Sequence, residues 1–157
     1  MYQYFRYFRR AALLVLVLAA AMLGADPSVG TWVLNLKKSV YRAGAVPKSQ
    51  IRTYRESGDG IIATIVTVSA EGESSTVEFP VKYDGQSRPV TGSSSIDAIK
   101  MSRGDRKQLK SQLMERGKQV ATTVREVSED GNTLTITYDG TATDGSPVHY
   151  VSVFDRR

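Results

Sequence analysis

Eight residue–glycine pairs divide the chain after a short apolar stretch, and they constrain its fold more than any other feature. Asp-Gly between alternating apolar and polar residues favours a β-hairpin, because a type I′ turn needs positive φ at both central residues and glycine adopts it without steric cost. Most stretches between the pairs have the length of a β-strand. The pattern therefore predicts an antiparallel meander. The pairs are Asp59-Gly60, Glu71-Gly72, Asp84-Gly85, Arg103-Gly104, Arg116-Gly117, Asp130-Gly131, Asp139-Gly140 and Asp144-Gly145.

The first 25 residues have the pattern of a secretory signal peptide. Residues 1–10 carry three arginines and no acid, residues 11–24 are all apolar or small, and Ala25 precedes Asp26. A basic start, a short apolar run and a small residue before a polar break are typical of such a signal. The apolar run is shorter than the roughly 20 residues of a membrane-spanning helix, although an uncleaved anchor is the alternative. We therefore expect residues 1–25 to be a signal peptide, with cleavage after Ala21 or Gly24 as alternatives to Ala25. The protein would be exported, periplasmic or extracellular, and would meet the membrane only through this segment before cleavage.

The length and composition of the remaining residues, 26–157, indicate one small domain. Losing the signal lowers the net charge from +5 to +2, because that segment holds three of the 21 basic residues and none of the 16 acids. A nearly neutral chain gives no argument for nucleic-acid binding. A domain of this length can bury roughly two thirds of its unfolded surface. The chain has no cysteine, which excludes disulfides and thiolate metal sites.

Alternating patterns predict about nine strands, in a range of eight to ten. Within the strand Ser75–Tyr83, Pro80 lacks a backbone donor and indicates an edge or a bulge. Gln86–Ser95 is expected to be a loop. Lys107–Glu115 fits either a strand or a short helix, and we favour a strand because hairpin signals flank it. Sequential short turns favour an up-and-down barrel over a sandwich, and its last strand would pair with its first.

One stretch at the start of the first strand carries a family resemblance. Gly30-Thr31-Trp32 resembles the Gly-x-Trp mark of lipocalin-like barrels, and the chain is similar to small exported bacterial proteins of that type with no established activity. The resemblance implies that Trp32 closes one end of the barrel, with Arg125 or Arg156 stacked on it. The chain departs from many lipocalins in having no cysteines and no helix after the barrel. Further resembling stretches are residues 33–36, 47–50, 83–85, 89–92, 125–135 and 144–148.

Candidate site residues come from the faces that the strands would turn inward. Tyr54, Phe79, Tyr83 and Tyr138 are expected to line an apolar cavity for a small ligand, although ordinary barrel packing is the alternative. Arg125 inside the barrel would need an anionic partner, and a ligand carboxylate would supply one; the alternative is an exposed ion pair. Trp32 is interpreted as a structural plug.

No pattern of catalytic, metal-binding or cofactor-binding residues is found in the sequence. His149 is the only histidine, and no nucleophile elbow, His-Glu-x-x-His or phosphate-binding loop is present. Most aspartates are assigned to turns, and Ser93-Ser94-Ser95 to a loop.

The expected function is therefore binding of a small apolar or amphipathic molecule inside an exported barrel. The alternative is a solid barrel that acts as a structural or protein-interaction module, with an enzyme third. An interior cavity above about 300 Å³ favours binding. An interior crossed by Trp32, Phe79 and Tyr138 favours the solid barrel. Oligomeric state is not predicted.

Overall fold

The computed structural model describes residues 25–58, 60–104, 108–142 and 144–157, and its regular structure is entirely β. The predicted signal peptide therefore lies outside the described residues except for Ala25, as do Asp59 and Lys107. Within the described part, no helix has the length and hydropathy needed to cross a bilayer. The strands are β1 Gly30–Leu34, β2 Val40–Tyr41, β3 Ser49–Ser57, β4 Gly60–Val68, β5 Ser74–Val81, β6 Asp84–Pro89, β7 Ala98–Arg103, β8 Leu109–Glu115, β9 Lys118–Val127, β10 Thr133–Thr141 and β11 Pro147–Arg156.

The strands form one antiparallel sheet that curls into a nearly closed barrel. Its order is β5-β4-β3-β1-β11-β10-β9-β8-β7-β6, with β2 pairing β11 beyond the end of β1. The first strand pairs with the last, with Trp32 opposite Arg156. Closing the sheet removes exposed strand edges along most of its length. The predicted all-β, up-and-down barrel is therefore confirmed.

The barrel has one weak seam, between β5 and β6. Among the described residues, one bridge holds this seam: Glu78 of β5 and Thr91, two residues beyond β6, exchange two backbone hydrogen bonds of 3.0 and 2.9 Å. The chain passes so close there that a Cβ on Gly92 would lie 1.9 Å from the carbonyl oxygen of Thr76. Gly92 also has φ of 77°. The seam therefore requires glycine at this position, and the edge predicted from Pro80 is the β5 side of the seam.

Two short segments explain why eleven strands are found where about nine were expected. β2 has two residues and lies within the irregular connection that follows β1. β6 occupies part of Gln86–Ser95, so the loop prediction was wrong there; β6 is mostly exposed polar residues and pairs fully only with β7. Leu109–Glu115 is a strand that pairs on both sides, as favoured over the helix.

The glycine pairs are turns in most places but not in all. Arg116 and Gly117 have φ of 50° and 78°, so both residues meet the requirement of a type I′ turn between β8 and β9. Gly131 has φ of 72° at the β9–β10 turn. The turn predicted at Asp139-Gly140 was wrong, because this pair lies inside β10. Glycine is needed there for packing, since a Cβ on Gly140 would lie 2.8 Å from both Ala121 and Tyr138.

Candidate functional site

The barrel encloses a cavity of about 280 Å³. This volume is close to the roughly 300 Å³ at which ligand pockets begin, and liquid water would fill it with about nine molecules. Apolar side chains such as Ile65, Ile99 and Ile136 form much of its wall, and hydroxyl groups of Ser, Thr and Tyr form most of its polar part. Phe79 and Tyr138 line this space, whereas Trp32 does not reach it. Its described lining includes two arginines and no carboxylate.

A second cavity extends this interior toward the open end of the barrel. It measures about 240 Å³ and shares Gln50, Arg52, Thr67 and Tyr150 with the first. At this mouth, Tyr150 stacks between two other tyrosines, with ring centroids 4.5 Å from Tyr138 and 5.3 Å from Tyr41. The interior is therefore a hollow whose mouth is lined by aromatic rings, with Arg52 lining both cavities and Arg125 lining the inner one.

Arg125 is the most confined charged group of the cavity. It points inward from β9 and is 6% exposed. Its Nη2 donates a 2.6 Å hydrogen bond to the Tyr83 hydroxyl, and its guanidinium lies 4.5 Å from the centre of the Tyr54 ring. Its Nε is buried and has no hydrogen-bond partner among the described residues. A buried cation normally contacts an anion directly, and Arg125 contacts none of the acidic residues that the structure describes.

The nearest anion reaches Arg125 only through a neutral hydroxyl. Tyr83 donates its hydroxyl proton to the carboxylate of Asp26, which also accepts hydrogen bonds from the Ser28 amide at 2.9 Å and the Ser28 hydroxyl. Burial raises the pKa of Asp26, but the hydrogen bonds from Ser28 and Tyr83 outweigh this effect and hold the pKa below its usual value. Burial raises the pKa of Tyr83. Asp26 is therefore ionised and Tyr83 neutral at physiological pH.

Arg52 is a second interior cation, which sequence reasoning left unassigned. Its Nε donates to Gln50 at 2.9 Å, and its guanidinium lies 5.2 Å from the centre of the Phe154 ring. The sequence contained a signal for it, because Arg52 is two residues from Tyr54 and side chains two apart in a strand share a face. Arg55 points outward and is exposed.

Tyr54 lies between the two arginines at the base of the cavity. Burial raises the pKa of its hydroxyl, but Arg125 and Arg52 together outweigh that effect, so the pKa lies below the ordinary value. The positive field of the two guanidiniums therefore favours a negative charge at this position. An anionic group of a ligand would meet the same field.

Trp32 seals the opposite end of the barrel. It is 0% exposed, and its Nε1 donates a 2.8 Å hydrogen bond to the Ser28 carbonyl. Of the two arginines considered, Arg156 stacks on Trp32, at 4.1 Å from the ring centre. Arg156 also donates to the carbonyls of Pro27, Val29 and Gly131 at 2.6–2.8 Å. A Cβ on Gly30 would lie 2.5 Å from the Arg156 guanidinium, so the glycine of Gly-x-Trp makes room for the arginine.

The remaining polar candidates lie outside the cavity or in turns. His149 contacts Asp139 at 2.5 Å on the exposed outer face, paired across β10 and β11. Asp84, Asp130 and Asp144 each accept the amide hydrogen of the residue two positions later, which is turn geometry. Among the described residues, no group of three or more His, Cys, Asp or Glu is placed to hold a metal.

The structure therefore brings four of the five predicted ligand contacts together. Tyr54, Phe79, Arg125 and Tyr138 line the cavity. Tyr83 lies just beyond β5 and behind Arg125, where it holds the arginine from outside the cavity. The Arg103 guanidinium covers the Tyr83 ring at 4.6 Å from its centre.

The fold is similar to that of known proteins of very different sequence. The crystal structure of Rv2717c from M. tuberculosis matches with a TM-score of 0.51 and 15% identity, over 83% of this chain and 93% of that one. This likeness shows the fold alone. Zebrafish ileal bile acid-binding protein complexed with cholic acid matches with a TM-score of 0.48 and 12% identity, over 83% and 99% of the two chains. A de novo designed fluorescence-activating β-barrel matches with 0.45 and 10%, over 85% and 99%. No family model matches the chain, and no curated protein matches it.

Proposed function

We propose that this protein is an exported, lipocalin-like binding protein that holds a small amphipathic molecule with an acidic group inside its barrel. The observation that carries the proposal is Arg125, which is buried at the cavity and, within the described part of the chain, has an unpaired Nε and no direct carboxylate partner. Desolvating a cation without an anion is costly, so a ligand acid would recover free energy that the empty barrel lacks.

The cavity also defines how such a ligand would lie. Its acid would be at the base, between Arg52 and Arg125, where a carboxylate can accept paired hydrogen bonds from a guanidinium. Its apolar part would cover Ile65 and Ile136 and extend toward the tyrosines of the mouth. Burial of apolar surface would supply most of the affinity, and the arginines would supply orientation.

Two ligands that differ only in the acid test this arrangement. In calorimetric titrations, we expect decanoate to bind roughly ten- to hundredfold more tightly than decanol, because a hydrogen bond to a charged group contributes about 1.5–3 kcal/mol. Arg125→Met should remove most of this preference while retaining decanol binding. Arg55→Met is the matched control, because Arg55 is exposed on the outer side of the same strand as Arg52; it should leave both affinities unchanged.

Purification from the protein's own host tests the broader proposal. Native mass spectrometry should reveal a bound molecule with an acidic group, and the mass of the protein in the exported fraction should correspond to a chain that begins at Asp26. Failure of both decanoate and decanol to bind, together with an empty barrel from the host, would refute ligand binding. Retention of residues 1–25 in the cell membrane would refute export without bearing on the cavity.

A further inference from the structure

One connection of the barrel combines exposed aliphatic side chains with exposed cations. Among the described residues, the large hydrophobic side chains that are exposed are Leu36, Val40, Val46 and Val66. Three of these four lie in residues 36–48, where they are 42%, 50% and 45% exposed. We call residues 36–48, which link β1 to β3 and contain β2, the mouth segment. Exposed apolar side chains that share one surface call for a partner, whereas single ones do not.

The mouth segment is also strongly basic. It contains Lys37, Lys38, Arg42 and Lys48 and no acid. All four cations are exposed. Lys38 pairs with Asp155 at 2.8 Å, and none of the other three takes part in an ion pair among the described residues. The segment therefore presents at least three uncompensated positive charges beside its aliphatic side chains.

The inner side of the segment is fixed to the barrel. Val40 and Tyr41 pair with β11, and the Tyr41 ring stacks on Tyr150. Tyr41, Ala45 and Pro47 line the cavity at the mouth. With these residues facing inward, Val40, Arg42 and Val46 are left on the outside. Val40, Arg42 and Val46 are thus presented at the open end of the barrel, whereas Leu36 and Lys37 lie farther from the mouth, beside Asp155 and Arg157.

We propose that the mouth segment docks the barrel on the surface of a membrane that contains anionic phospholipid. Aliphatic side chains that enter the headgroup region and basic side chains that meet anionic lipid are the two contributions that bind peripheral proteins to membranes. A protein partner fits the composition less well, because lysine is depleted from protein interfaces and aromatic residues are enriched. Three of the four cations here are lysine, and the exposed apolar residues are all aliphatic. The proposal does not depend on a ligand in the interior, and it replaces the expectation that the protein meets a membrane only through residues 1–25.

Vesicle sedimentation with charge variants tests the electrostatic part. The protein should bind vesicles of phosphatidylcholine and phosphatidylglycerol in equal parts, and bind vesicles of phosphatidylcholine alone much less. Arg42→Gln/Lys48→Gln should lower the partition coefficient about 25-fold, since each cation near an anionic surface contributes about fivefold. Arg55→Gln/Lys110→Gln removes the same charge from exposed positions on β3 and β8 and should change binding less than about twofold. All variants share the same N-terminus, so its contribution to binding cancels.

An aliphatic variant tests the other part. Val40→Ser/Val46→Ser should lower binding several-fold, including at high salt, where the cations are screened. These residues are exposed, so circular dichroism and melting temperature should match the wild type. An equal loss in the two charge variants would show that net charge alone is responsible and would overturn the proposal. Absence of vesicle binding, or binding unaffected by phosphatidylglycerol, would overturn it as well.

Discussion

Replacing Tyr83 with Phe removes the hydroxyl that joins Arg125 to Asp26. The hydroxyl accepts a 2.6 Å hydrogen bond from the guanidinium and donates one to the carboxylate. Each is a bond to a charged group and contributes about 1.5–3 kcal/mol. Water can replace the hydroxyl at Asp26, which is partly exposed, but it cannot do so as easily at Arg125, which is 6% exposed. Because the hydrogen bond to Arg125 is lost in full and the one to Asp26 is largely replaced by water, we expect the free energy of unfolding to fall by about 2–3 kcal/mol.

Urea unfolding followed by tryptophan fluorescence measures this loss. Tyr41→Phe is the control, because the Tyr41 hydroxyl pairs with the neutral hydroxyl of Ser152 at 2.9 Å, and its removal should cost only about 1 kcal/mol. In an Arg125→Met background, Tyr83→Phe should cost at least about 1 kcal/mol less, because the cation that it satisfied is gone. The reasoning is refuted if Tyr83→Phe costs no more than Tyr41→Phe, or if the losses of Tyr83→Phe and Arg125→Met simply add.

Three further changes test other parts of the barrel. Gly92→Ala should destabilise by more than about 2 kcal/mol in urea unfolding, because its Cβ would lie 1.9 Å from a β5 carbonyl oxygen; Gly131→Ala, at similar φ with open space, should cost only about 1–2 kcal/mol. Arg156→Leu should cost about 2–4 kcal/mol and alter the near-ultraviolet circular dichroism of Trp32, because it removes a stacked cation bonded to three carbonyls; an unchanged spectrum would contradict the stack. The lowered pKa of Tyr54 favours its ionised form in the folded state. The free energy of unfolding of the wild type, relative to that of Tyr54→Phe, should therefore increase as pH rises above the folded pKa, up to about pH 10. A relative decrease would show that the arginines do not control this hydroxyl.

The fold was predictable at positions where the local sequence alone determines the backbone conformation. Alternation of apolar and polar residues placed the interior faces, and glycine at positive φ marked hairpins such as Arg116-Gly117. The prediction failed at β6, whose polar residues read as a loop and which pairs through most of its length on one side only. It also failed at Gly140, where glycine serves packing and not a turn.

From the sequence, the candidate site could be predicted only as a set of residues whose side chains point into the barrel. Residue parity gave an interior position for Arg125 as one of two alternatives, and the same parity applied to Tyr54 would have added Arg52. The link from Arg125 to Asp26 could not be read from a local pattern, since Tyr83 and Asp26 are 57 residues apart and meet only when the chain before β1 folds across the end of the barrel. The cavity volume likewise depends on how whole side chains pack, which periodicity does not specify.

The position of Trp32 means that tryptophan fluorescence and tyrosine absorbance report on different events in this protein. Trp32 is the only tryptophan of the chain, and it lies at the sealed end, outside the cavity wall. Its emission should therefore report whether the barrel is folded and remain nearly constant when the interior fills. Tyrosines surround the hollow, so difference absorbance in the tyrosine band should respond to occupancy. One sample can thus give a stability readout and a binding readout at different wavelengths, with no added label.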